Sequence, residues 1–500
     1  MDYSFLNTLD LSSDSIRKLT LNLDSIVEGR NEILRSPTGG DLSSEVILER
    51  WDKIFKEHES KLVLPLVEME SSNRSKFGPR SIALPWSERI EDVMKSFKPD
   101  NVVEKLRPHS LASINSNRLR PLTLKVAADY LKPSTSSGLP FLVKKRNAVD
   151  SVLLDFENLL KRKDPCVLFT RTQESGKTRT VWGFPIADTL NEMRFYRPIL
   201  EYQKKLDWRS ALTTPENVDQ QVTRLIDQAI IADNFIISMD MRGYDSTVRA
   251  MLQEAAFLYF TQLFQPKYKD ELLYILHRFG NIGLITPNGI LNSPHGVPSG
   301  STFTNEVDSV VQYLIAYTGF LTAFRFQIQG DDSLYQSKDP DSVFDLFARY
   351  GLEVSGKDKT FVSKDYCVYL QFLYHKQYRN KNGIIGGVYS TYRALNRIIH
   401  PERFDDFSES EISGKDYFAI KNLSILENCK NSPLFVDLVK FVMSLDKYSL
   451  NVSDLGLQQY VALKSKQEGK DIKFNSWSYG DEIRGIKNFE SYKLVKELSV

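Results

Sequence analysis

Side chains near residue 330 predict two strands joined by a short turn. From Phe324 to Gln329 apolar and polar residues alternate, which is the period of a strand with one buried face. Residues 333–336 continue this extended character, and Gly330-Asp331-Asp332 lies between the halves. Gly and Asp tolerate the positive φ of a tight hairpin. The turn thus presents adjacent carboxylates whose repulsion a divalent cation would relieve, although such a tripeptide alone also suits a solvated turn.

A second buried strand is predicted from Phe235 to Asp240, because the run that precedes this aspartate is almost wholly apolar. Asp245 follows after four intervening residues. Strand pairing would bring Asp240 close to Asp331 from a distant part of the chain, so that both share a cation. A single Asp at a strand end is usually only a cap or turn residue, and the hypothesis depends on both occurring in one chain.

Between these strands a Gly- and Pro-containing loop, residues 296–300, precedes a predicted helix. The apolar face of this helix consists of Phe303, Val307, Val310 or Val311, and Leu314. The opposite face carries the small polar side chains of Ser301, Thr304, Asn305 and Asp308. Such a face would line a substrate site, and an ordinary solvated helix surface would give the same pattern.

Upstream, residues 169–182 predict a hairpin turned at Ser175-Gly176, with Arg171, Lys177 and Arg179 on one side. Three cations suit a triphosphate, because negative charge grows on the leaving pyrophosphate during phosphoryl transfer. The Gly-Lys-Thr sequence is not a P-loop, since Arg171 stands where the first Gly is required. A solvated basic hairpin is the alternative.

A loop is also predicted at residues 133–140, which include Ser136, Ser137 and Gly138 and precede three cations at 144–146. Small side chains let a backbone approach another chain closely, and hydroxyls and backbone amides bind phosphates. A flexible linker would have the same composition.

Composition indicates a folded protein without a strong global charge. The 500 residues include 65 basic and 64 acidic side chains, so a polyanion would have to meet a local basic surface. This length favours several subdomains. Three isolated cysteines fit no zinc spacing and indicate a reducing compartment. Neither a signal peptide nor a membrane span is predicted, which is typical of a soluble protein.

Elsewhere the pattern predicts boundaries rather than chemistry. Ser43 would begin a helix, residues 71–75 would form a loop, and Ser342 would cap a helix that stops at Gly351. Residues 370–374 would form one strand, Asn382-Gly383 a hairpin turn, and the rest of the chain packed helices.

Three elements, in their order along the chain, resemble motifs A, B and C of viral RNA-dependent RNA polymerases. They are DxxxxD (Asp240, Asp245), SGxxxT (Ser299, Gly300, Thr304) and GDD (Gly330, Asp331, Asp332). The motif sequences are similar to those in the polymerases of small double-stranded RNA viruses of the picobirnavirus and partitivirus kind. The resemblance implies an α+β right-hand fold with fingers, a palm built on a small antiparallel sheet backed by helices, a helical thumb, and an N-terminal bridge between fingers and thumb.

The resemblance also implies two Mg²⁺ ions bound by Asp240 and Asp331, with Asp332 in support. The ions would activate the 3′-hydroxyl of the primer or nascent strand and stabilise the leaving pyrophosphate. Mn²⁺ would substitute, since both metals accept oxygen ligands.

Substrate contacts follow from the same resemblance. Asp245 would bind the ribose 2′-hydroxyl, and the loop residues assigned to substrate binding are Ser299, Gly300 and Thr304. Many relatives have Asn where this chain has Asp308, so the second ribose contact would come from Asp308 or from Asn305. Arg242 either binds a phosphate or pairs with a nearby acid.

The flanking elements resemble further motifs. The cationic hairpin resembles motif F, which places Arg171, Lys177 and Arg179 on the triphosphate, and the Ser136–Gly138 loop resembles motif G at the template entrance. Residues 351–360 resemble motif D, where a lysine would protonate the departing pyrophosphate. Lys359 is favoured over Lys357 for this role, and a solvated lysine is the alternative. Residues 370–374 resemble motif E.

The implied reaction is RNA-templated RNA synthesis from ribonucleoside triphosphates, for genome replication and transcription in the virion interior and host cytoplasm, with capsid protein as a further partner. The implied domains are an N-terminal bridge (1–80), fingers (81–234), palm (235–250), a fingers insertion (251–290), palm (291–382) and thumb (383–500). A reverse transcriptase is the alternative, but the reverse transcriptase family has a bulky aromatic residue at the position where this chain has Asp245. A non-catalytic RNA-binding virion subunit is a third hypothesis, disfavoured because every metal-binding carboxylate is present.

Overall fold

The structure, a computed structural model, describes residues 2–99, 104–107, 118–356, 359–405, 411–469 and 482–499. The chain forms two compact units, each assembled from segments that are distant in sequence. The first unit comprises Met1–Gly29, Pro85–Arg171 and Thr180–Leu370, and the second comprises Arg30–Leu84, Thr172–Arg179 and Gln371–Val500.

Helices make up most of both units. In chain order they are α1 Ser13–Glu28, α2 Ser44–His58, α3 Leu64–Arg74, α4 Trp86–Lys95, α5 Leu124–Ala128, α6 Val149–Leu154, α7 Phe156–Lys161, α8 Ile186–Gln203, α9 Pro215–Ala232, α10 Tyr244–Thr247, α11 Ala250–Leu263, α12 Lys269–Asn281, α13 Thr304–Thr318, α14 Pro340–Ala348, α15 Thr391–Ile399, α16 Gly414–Glu427, α17 Phe435–Leu445, α18 Asp454–Glu468, α19 Glu482–Lys487 and α20 Glu490–Leu498. Short 3-10 helices lie at Ser4–Thr8, Glu59–Lys61, Lys145–Asn147, Glu174–Gly176, Asp207–Leu212, Pro266–Tyr268 and Leu321–Ala323.

The strands are short. They are β1 Cys166–Thr172, β2 Thr178–Gly183, β3 Phe235–Met239, β4 Leu284–Thr286, β5 Gly289–Leu291, β6 Gln327–Gln329, β7 Asp332–Ser337, β8 Phe361–Ser363, β9 Tyr366–Tyr369, β10 Phe372–His375 and β11 Val388–Tyr389. In the first unit one sheet has the order β2-β1-β4-β5 and another the order β6-β7-β3-β8. In the second unit β10 pairs antiparallel with β11.

The sheet β6-β7-β3-β8 is antiparallel throughout, with β3 between β7 and β8. Its strands supply Ile237 and Tyr335 to the largest buried cluster of the first unit. Helices α11 and α13 contribute Phe257 and Val307 to the same cluster. The predicted small antiparallel sheet backed by helices is therefore present.

The second unit is mainly helical and has its own core. Trp51 of α2 packs on Phe441 of α17 with ring centroids 5.4 Å apart, and its indole Nε1 donates to Thr391 Oγ1 at 3.2 Å. Fully buried Glu70 of α3 accepts from the backbone N of Thr391 at 2.8 Å and from the Ser390 hydroxyl. A carboxylate at the first turn of α15 satisfies backbone donors that the helix leaves unpaired.

Three boundaries differ from those predicted. Residues 71–74 complete helix α3 instead of forming a loop, and Arg74 in this last turn pairs with Asp52 of α2 at 2.6 Å. Asp339, not Ser342, caps α14, since the Asp339 carboxylate accepts from Ser342 N. The expected strand at 370–374 is interrupted, because Leu370 and Gln371 both adopt positive φ and separate β9 from β10.

Other predicted boundaries are confirmed. Ser43 caps α2, and the Ser175-Gly176 turn joins β1 and β2. Gly383 has a φ of +78° between the bridged residues Arg379 and Ile385, as a hairpin turn requires.

The three cysteines, Cys166, Cys367 and Cys429, are all buried and free. Burial raises the pKa of each thiol. Among the described residues no helix combines the length and the apolar character needed to cross a bilayer.

Candidate active site

The register of two neighbouring strands brings the predicted acidic residues together. Met239 at the end of β3 pairs with Ser333 of β7. Asp240 follows the first of these residues and Asp332 precedes the second, so antiparallel pairing sets the two aspartates opposite each other. Asp331 stands beside them in the turn between β6 and β7. Three carboxylates from two distant segments thus meet at one end of the sheet, as predicted.

These carboxylates influence one another electrostatically. Burial, followed by the charges of Asp331 and Asp240, raises the pKa of Asp332 to about 7, against a hydrogen bond from the backbone of Leu370 that lowers it. Asp331 is exposed, whereas Asp240 and Asp332 are half-buried. Repelling carboxylates in a partly desolvated place favour a bound cation. The donors are all carboxylate oxygens, which suits a hard divalent metal. Within the described residues, no group of three or more His, Cys, Asp or Glu side chains is arranged to hold a metal ion as it stands, so the three aspartates are neighbours rather than a formed coordination site.

Asp240 is oriented by a segment that follows α14. Ser355 Oγ donates to Asp240 Oδ1 at 2.5 Å, and Ser355 N donates to the backbone oxygen of Asp240 at 2.8 Å. Met241 forms a bridge with Val354. Motif D therefore runs alongside motif A. Its Lys359 is exposed, and the alternative, Lys357, lies outside the described residues.

The GDD turn is attached to α13 through both peptide groups of its glycine. Gly330 N donates to Ser309 Oγ at 2.8 Å, and Gln312 Nε2 donates to Gly330 O at 2.7 Å. Gly330 has a φ of +65°, and a Cβ there would lie 3.0 Å from Asn305 Nδ2. The turn requires glycine for its backbone and for its close contact with the helix.

Asp245 and Asp308 form a second acidic pair. Burial raises the pKa of Asp308 well above its usual range, with further contributions from the charges of Asp245 and Asp331 and from a hydrogen bond with Asp245. The Tyr244 hydroxyl donates to the backbone oxygen of Asp308 at 2.9 Å. Burial and the neighbouring carboxylates therefore favour the neutral form of Asp308, which can donate a hydrogen bond to Asp245.

Helix α13 does not present the open polar face that the pattern suggested. Ser301 and Asp308 are buried, while Thr304 and Asn305 are half-buried. Protein partners cover this face, since Arg209 Nη2 donates to Asn305 Oδ1 at 3.2 Å and Asp308 meets Asp245.

The loop before α13 is fastened to β2. Trp182 N donates to Ser299 O at 3.0 Å, and a Cβ on Gly300, whose φ is +156°, would lie 2.0 Å from Trp182 O. Thr304 Oγ1 donates to Pro298 O at 3.0 Å. Ser299 is half-buried and Gly300 is exposed, so the loop offers this dipeptide to solvent.

The Ser136–Gly138 loop is compact rather than a linker. Ser137 N donates to Val143 O at 2.7 Å, and Gly138 N donates to Ser136 Oγ at 3.2 Å. Lys145 Nζ donates to Ser136 O at 2.8 Å, and burial lowers the pKa of Lys145 to about 8.

The β1–β2 hairpin turns through Ser175 and Gly176, both with positive φ. Its three predicted cations, Arg171, Lys177 and Arg179, are exposed. Arg171 belongs to the first unit, whereas Lys177 and Arg179 belong to the second.

Within the second unit, Glu174 at the tip of this hairpin contacts Arg80 at 3.4 Å and Arg393 at 3.3 Å. Although burial raises the pKa of Glu174, a backbone hydrogen bond and these two arginines lower it overall. Arg242 in motif A contacts Glu353 at 3.9 Å with both side chains largely exposed, which is a weak pairing.

Several residues around the site were not anticipated: Glu192, Arg209, Ser309, Gln312 and Ser355. They lie 18 to 115 residues from their partners along the chain. Only Ser309 and Gln312 could have been placed near the site from the sequence, because they lie on the predicted helix that precedes the GDD strand pair.

Comparison with known proteins agrees with this geometry. The family model for viral RNA-dependent RNA polymerase matches residues 94–386. The potential RNA-dependent RNA polymerase of a human picobirnavirus (strain Human/Thailand/Hy005102/-) is 28% identical over 483 residues, which cover 88% of this chain and 87% of the relative. The chain belongs to the viral RNA-dependent RNA polymerase family, and it is an RNA-directed RNA polymerase, a nucleotidyltransferase.

Solved structures show the same fold. The crystal structure of the RNA-dependent RNA polymerase of a human picobirnavirus matches with a TM-score of 0.82 at 24% identity, covering 100% of this chain and 99% of that chain. The insertion loop deletion mutant of a human picobirnavirus polymerase matches with a TM-score of 0.80 at 24% identity, covering 98% and 99%. The predicted right-hand polymerase fold and the similarity to picobirnavirus polymerases are confirmed.

Proposed function

We propose that the protein copies RNA into RNA by two-metal-ion nucleotidyl transfer from ribonucleoside triphosphates. The observation that carries this proposal is the meeting of Asp240, Asp331 and Asp332 at one end of an antiparallel sheet. The charges of Asp240 and Asp331 raise the pKa of Asp332, and a pair of divalent cations would neutralise this concentration of negative charge.

Asp240 and Asp331 would hold two Mg²⁺ ions, with Asp332 in support, and Mn²⁺ would substitute. When bound, the ions supply the positive charge that activates the 3′-hydroxyl and stabilises the leaving pyrophosphate. The chain's own contribution is orientation, since Ser355 turns the Asp240 carboxylate through a hydrogen bond of 2.5 Å.

Asp245 would recognise the ribose 2′-hydroxyl. Because Asp308 is buried and bonds to Asp245, we assign Asp308, rather than Asn305, to the second ribose interaction, which it makes through Asp245. Asn305 is held by Arg209 and lies against Gly330.

The loop residues Ser299, Gly300 and Thr304 would contact the template and the incoming nucleotide. The exposed cations Arg171, Lys177 and Arg179 would bind the triphosphate. Lys359 would protonate the departing pyrophosphate, and Ser136, Ser137 and Gly138 would guide the template.

On this proposal the fingers comprise residues 81–234 and 251–290, the palm 235–250 and 291–382, the thumb 383–500 and the bridge 1–80. The enzyme would replicate and transcribe a viral genome in the virion interior and host cytoplasm, with capsid protein as a partner. The near-neutral composition requires a locally basic template channel, whose RNA affinity falls with salt.

The test is incorporation of labelled ribonucleotides on a heteropolymeric single-stranded RNA, with Mg²⁺ and without primer. Asp331→Asn keeps the shape of the side chain and removes its charge, so we expect synthesis to fall by about 1,000-fold while RNA binding is kept. Asp341→Asn, at an exposed position of α14, is the matched control and should retain wild-type synthesis.

Substantial synthesis by Asp331→Asn would contradict the metal assignment. A preference for deoxyribonucleotides would favour the reverse transcriptase alternative. RNA binding without synthesis by the wild type, on primed templates and with Mn²⁺ as well, would favour the structural subunit.

A further inference from the structure

A buried carboxylate from another helix holds the start of the motif B helix. Ser301 Oγ donates to Glu192 Oε1 at 2.8 Å, while Thr302 N and Thr302 Oγ1 each donate to Glu192 Oε2 at 2.9 Å. Glu192 belongs to α8 and is 3% exposed. Its two oxygens thus bind the residues that directly follow Ser299 and Gly300.

The loop is fastened on two sides and open on a third. Trp182 of β2 bonds the backbone oxygen of Ser299, and Glu192 bonds the two residues after Gly300. Gly300 is exposed and Ser299 half-buried, so this edge of the loop reaches solvent. Displacement of either support would therefore move the dipeptide that faces substrate.

From this geometry we propose that Glu192 is a positioning residue that keeps the Ser299-Gly300 loop in its substrate-binding shape. The inference rests on the proposed function, in which this loop contacts template and nucleotide. Glu192 acts through Ser301 and Thr302 and need not touch the substrate.

The surroundings of Glu192 argue against a role in stability alone. Burial raises the pKa of Glu192, the donors on Thr302 and Ser301 lower it and the charge of Asp188 raises it slightly, and the resulting pKa is about 7. The neighbouring cation, Arg278 of α12, bonds to Asp188 at 2.7 Å and 2.9 Å. Cys166 of β1 is the other titratable group in electrostatic contact. Among the described residues, no Lys or Arg is paired with Glu192.

A carboxylate whose pKa is higher in the folded than in the unfolded chain lowers stability as pH rises from its unfolded value towards its folded value. Here that window extends from the ordinary value of 4.5 to about 7. Above pH 7 the charged Glu192 therefore destabilises the fold while it accepts all three hydrogen bonds. Packing alone is therefore a poor explanation of this carboxylate, whereas its three hydrogen bonds hold Ser301 and Thr302 beside the Ser299-Gly300 edge.

The experiment compares Glu192→Gln with wild type at pH 8, using the full chain. Gln keeps the shape but has only one accepting oxygen, so we expect single-nucleotide incorporation at saturating substrate to fall about tenfold. RNA affinity should be unchanged and the thermal midpoint equal or higher. Glu201→Gln, on the same helix but exposed, is the matched control and should behave as wild type.

A pH series supplies a readout that a structural role would not move. As pH falls below about 7, wild-type Glu192 takes up a proton and loses acceptor capacity. The ratio of the wild-type rate to the Glu192→Gln rate should therefore decrease. Thr302→Val should slow the wild-type enzyme about threefold. The same substitution should have a smaller effect in the Glu192→Gln variant, because the side chains of residues 192 and 302 share one interaction.

Wild-type rates for Glu192→Gln at pH 8, equal effects of Thr302→Val in both backgrounds, or a lower thermal midpoint that accompanies the loss of rate would each overturn the proposal. An inactive wild type would instead overturn the proposed function itself, so the two failures are distinguishable.

Discussion

Two hairpins of this polymerase carry opposite charges and are supported in opposite ways. In the acidic β6–β7 hairpin, Ser309 and Gln312 bond both peptide groups of Gly330, and the added Cβ at that glycine would meet Asn305. In the cationic β1–β2 hairpin, the equivalent turn glycine, Gly176, has nothing within 4 Å of an added Cβ. The first turn is enclosed by a helix, whereas the second is open.

The difference suits the proposed function, in which the acidic hairpin would bind metal ions and the cationic hairpin a triphosphate. Carboxylates that repel one another keep a fixed separation only if the backbone beneath them is fixed, and the rate of chemistry is sensitive to displacements of about 1 Å. Long cationic side chains reach an anion from an exposed arm, because their charge acts over several ångströms in water. Rigidity is therefore concentrated under the acidic turn.

The largest effect is expected from alanine at the two turn glycines. Gly330 and Gly176 share a positive φ, +65° and +69°, so the backbone strain of alanine is the same. Only Gly330→Ala adds a contact, 3.0 Å from Asn305 Nδ2. We expect Gly330→Ala to slow single-nucleotide incorporation about 100-fold and Gly176→Ala about threefold or less. Equal losses of incorporation rate in the two variants would show that the acidic and the cationic turn do not differ in how tightly they are held.

Gln312→Leu tests the support of the acidic turn without touching it. Leucine leaves Gly330 O without its donor and the Tyr335 hydroxyl without its acceptor. We expect incorporation to fall about tenfold and the free energy of unfolding to fall by about 1–3 kcal/mol. Incorporation rates and thermal midpoints measured together check this prediction. An unchanged rate would show that the turn does not depend on its hydrogen bond from α13.

Arg179→Gln tests the open hairpin. Because Arg179 is exposed, its loss should raise the KM for nucleotide about fivefold at low salt and less at high salt, with little change in stability. Arg179→Lys is the charge-preserving control and should recover most of the affinity. A lower kcat with unchanged KM would contradict a role in triphosphate binding.

The smallest effect is expected from Glu174→Gln. The substitution removes the anion that contacts Arg80 and Arg393, both at more than 3 Å. We expect the KM for nucleotide to change about twofold, because Glu402 still pairs with Arg80 after the substitution. A tenfold change would mean that this hairpin, too, is rigidly held.

Much of this architecture was predictable from the sequence because it is local. Alternation from Phe324 predicted β6, although this strand begins only at Gln327, and the apolar run predicted β3. Gly-Asp marked the turn between β6 and β7. The predicted pairing of the two strands is present, and its register sets Asp240 opposite Asp332, next to Asp331.

What escaped prediction depends on tertiary contacts. No spacing rule links Glu192 to Thr302, or Ser355 to Asp240, which are 110 and 115 residues apart. The single strand expected at 370–374 was wrong because positive φ at Leu370 and Gln371, both non-glycine, cannot be inferred from composition.

The three buried cysteines give the chain its own reporters of local opening. Cys166 and Cys367 lie in the first unit and Cys429 in the second. A thiol reacts as thiolate and only when reagent reaches it, so alkylation of the native protein is limited by transient exposure. The labelling rate of each cysteine, measured by mass spectrometry, would therefore report how often the structure around it opens locally, without any engineered label.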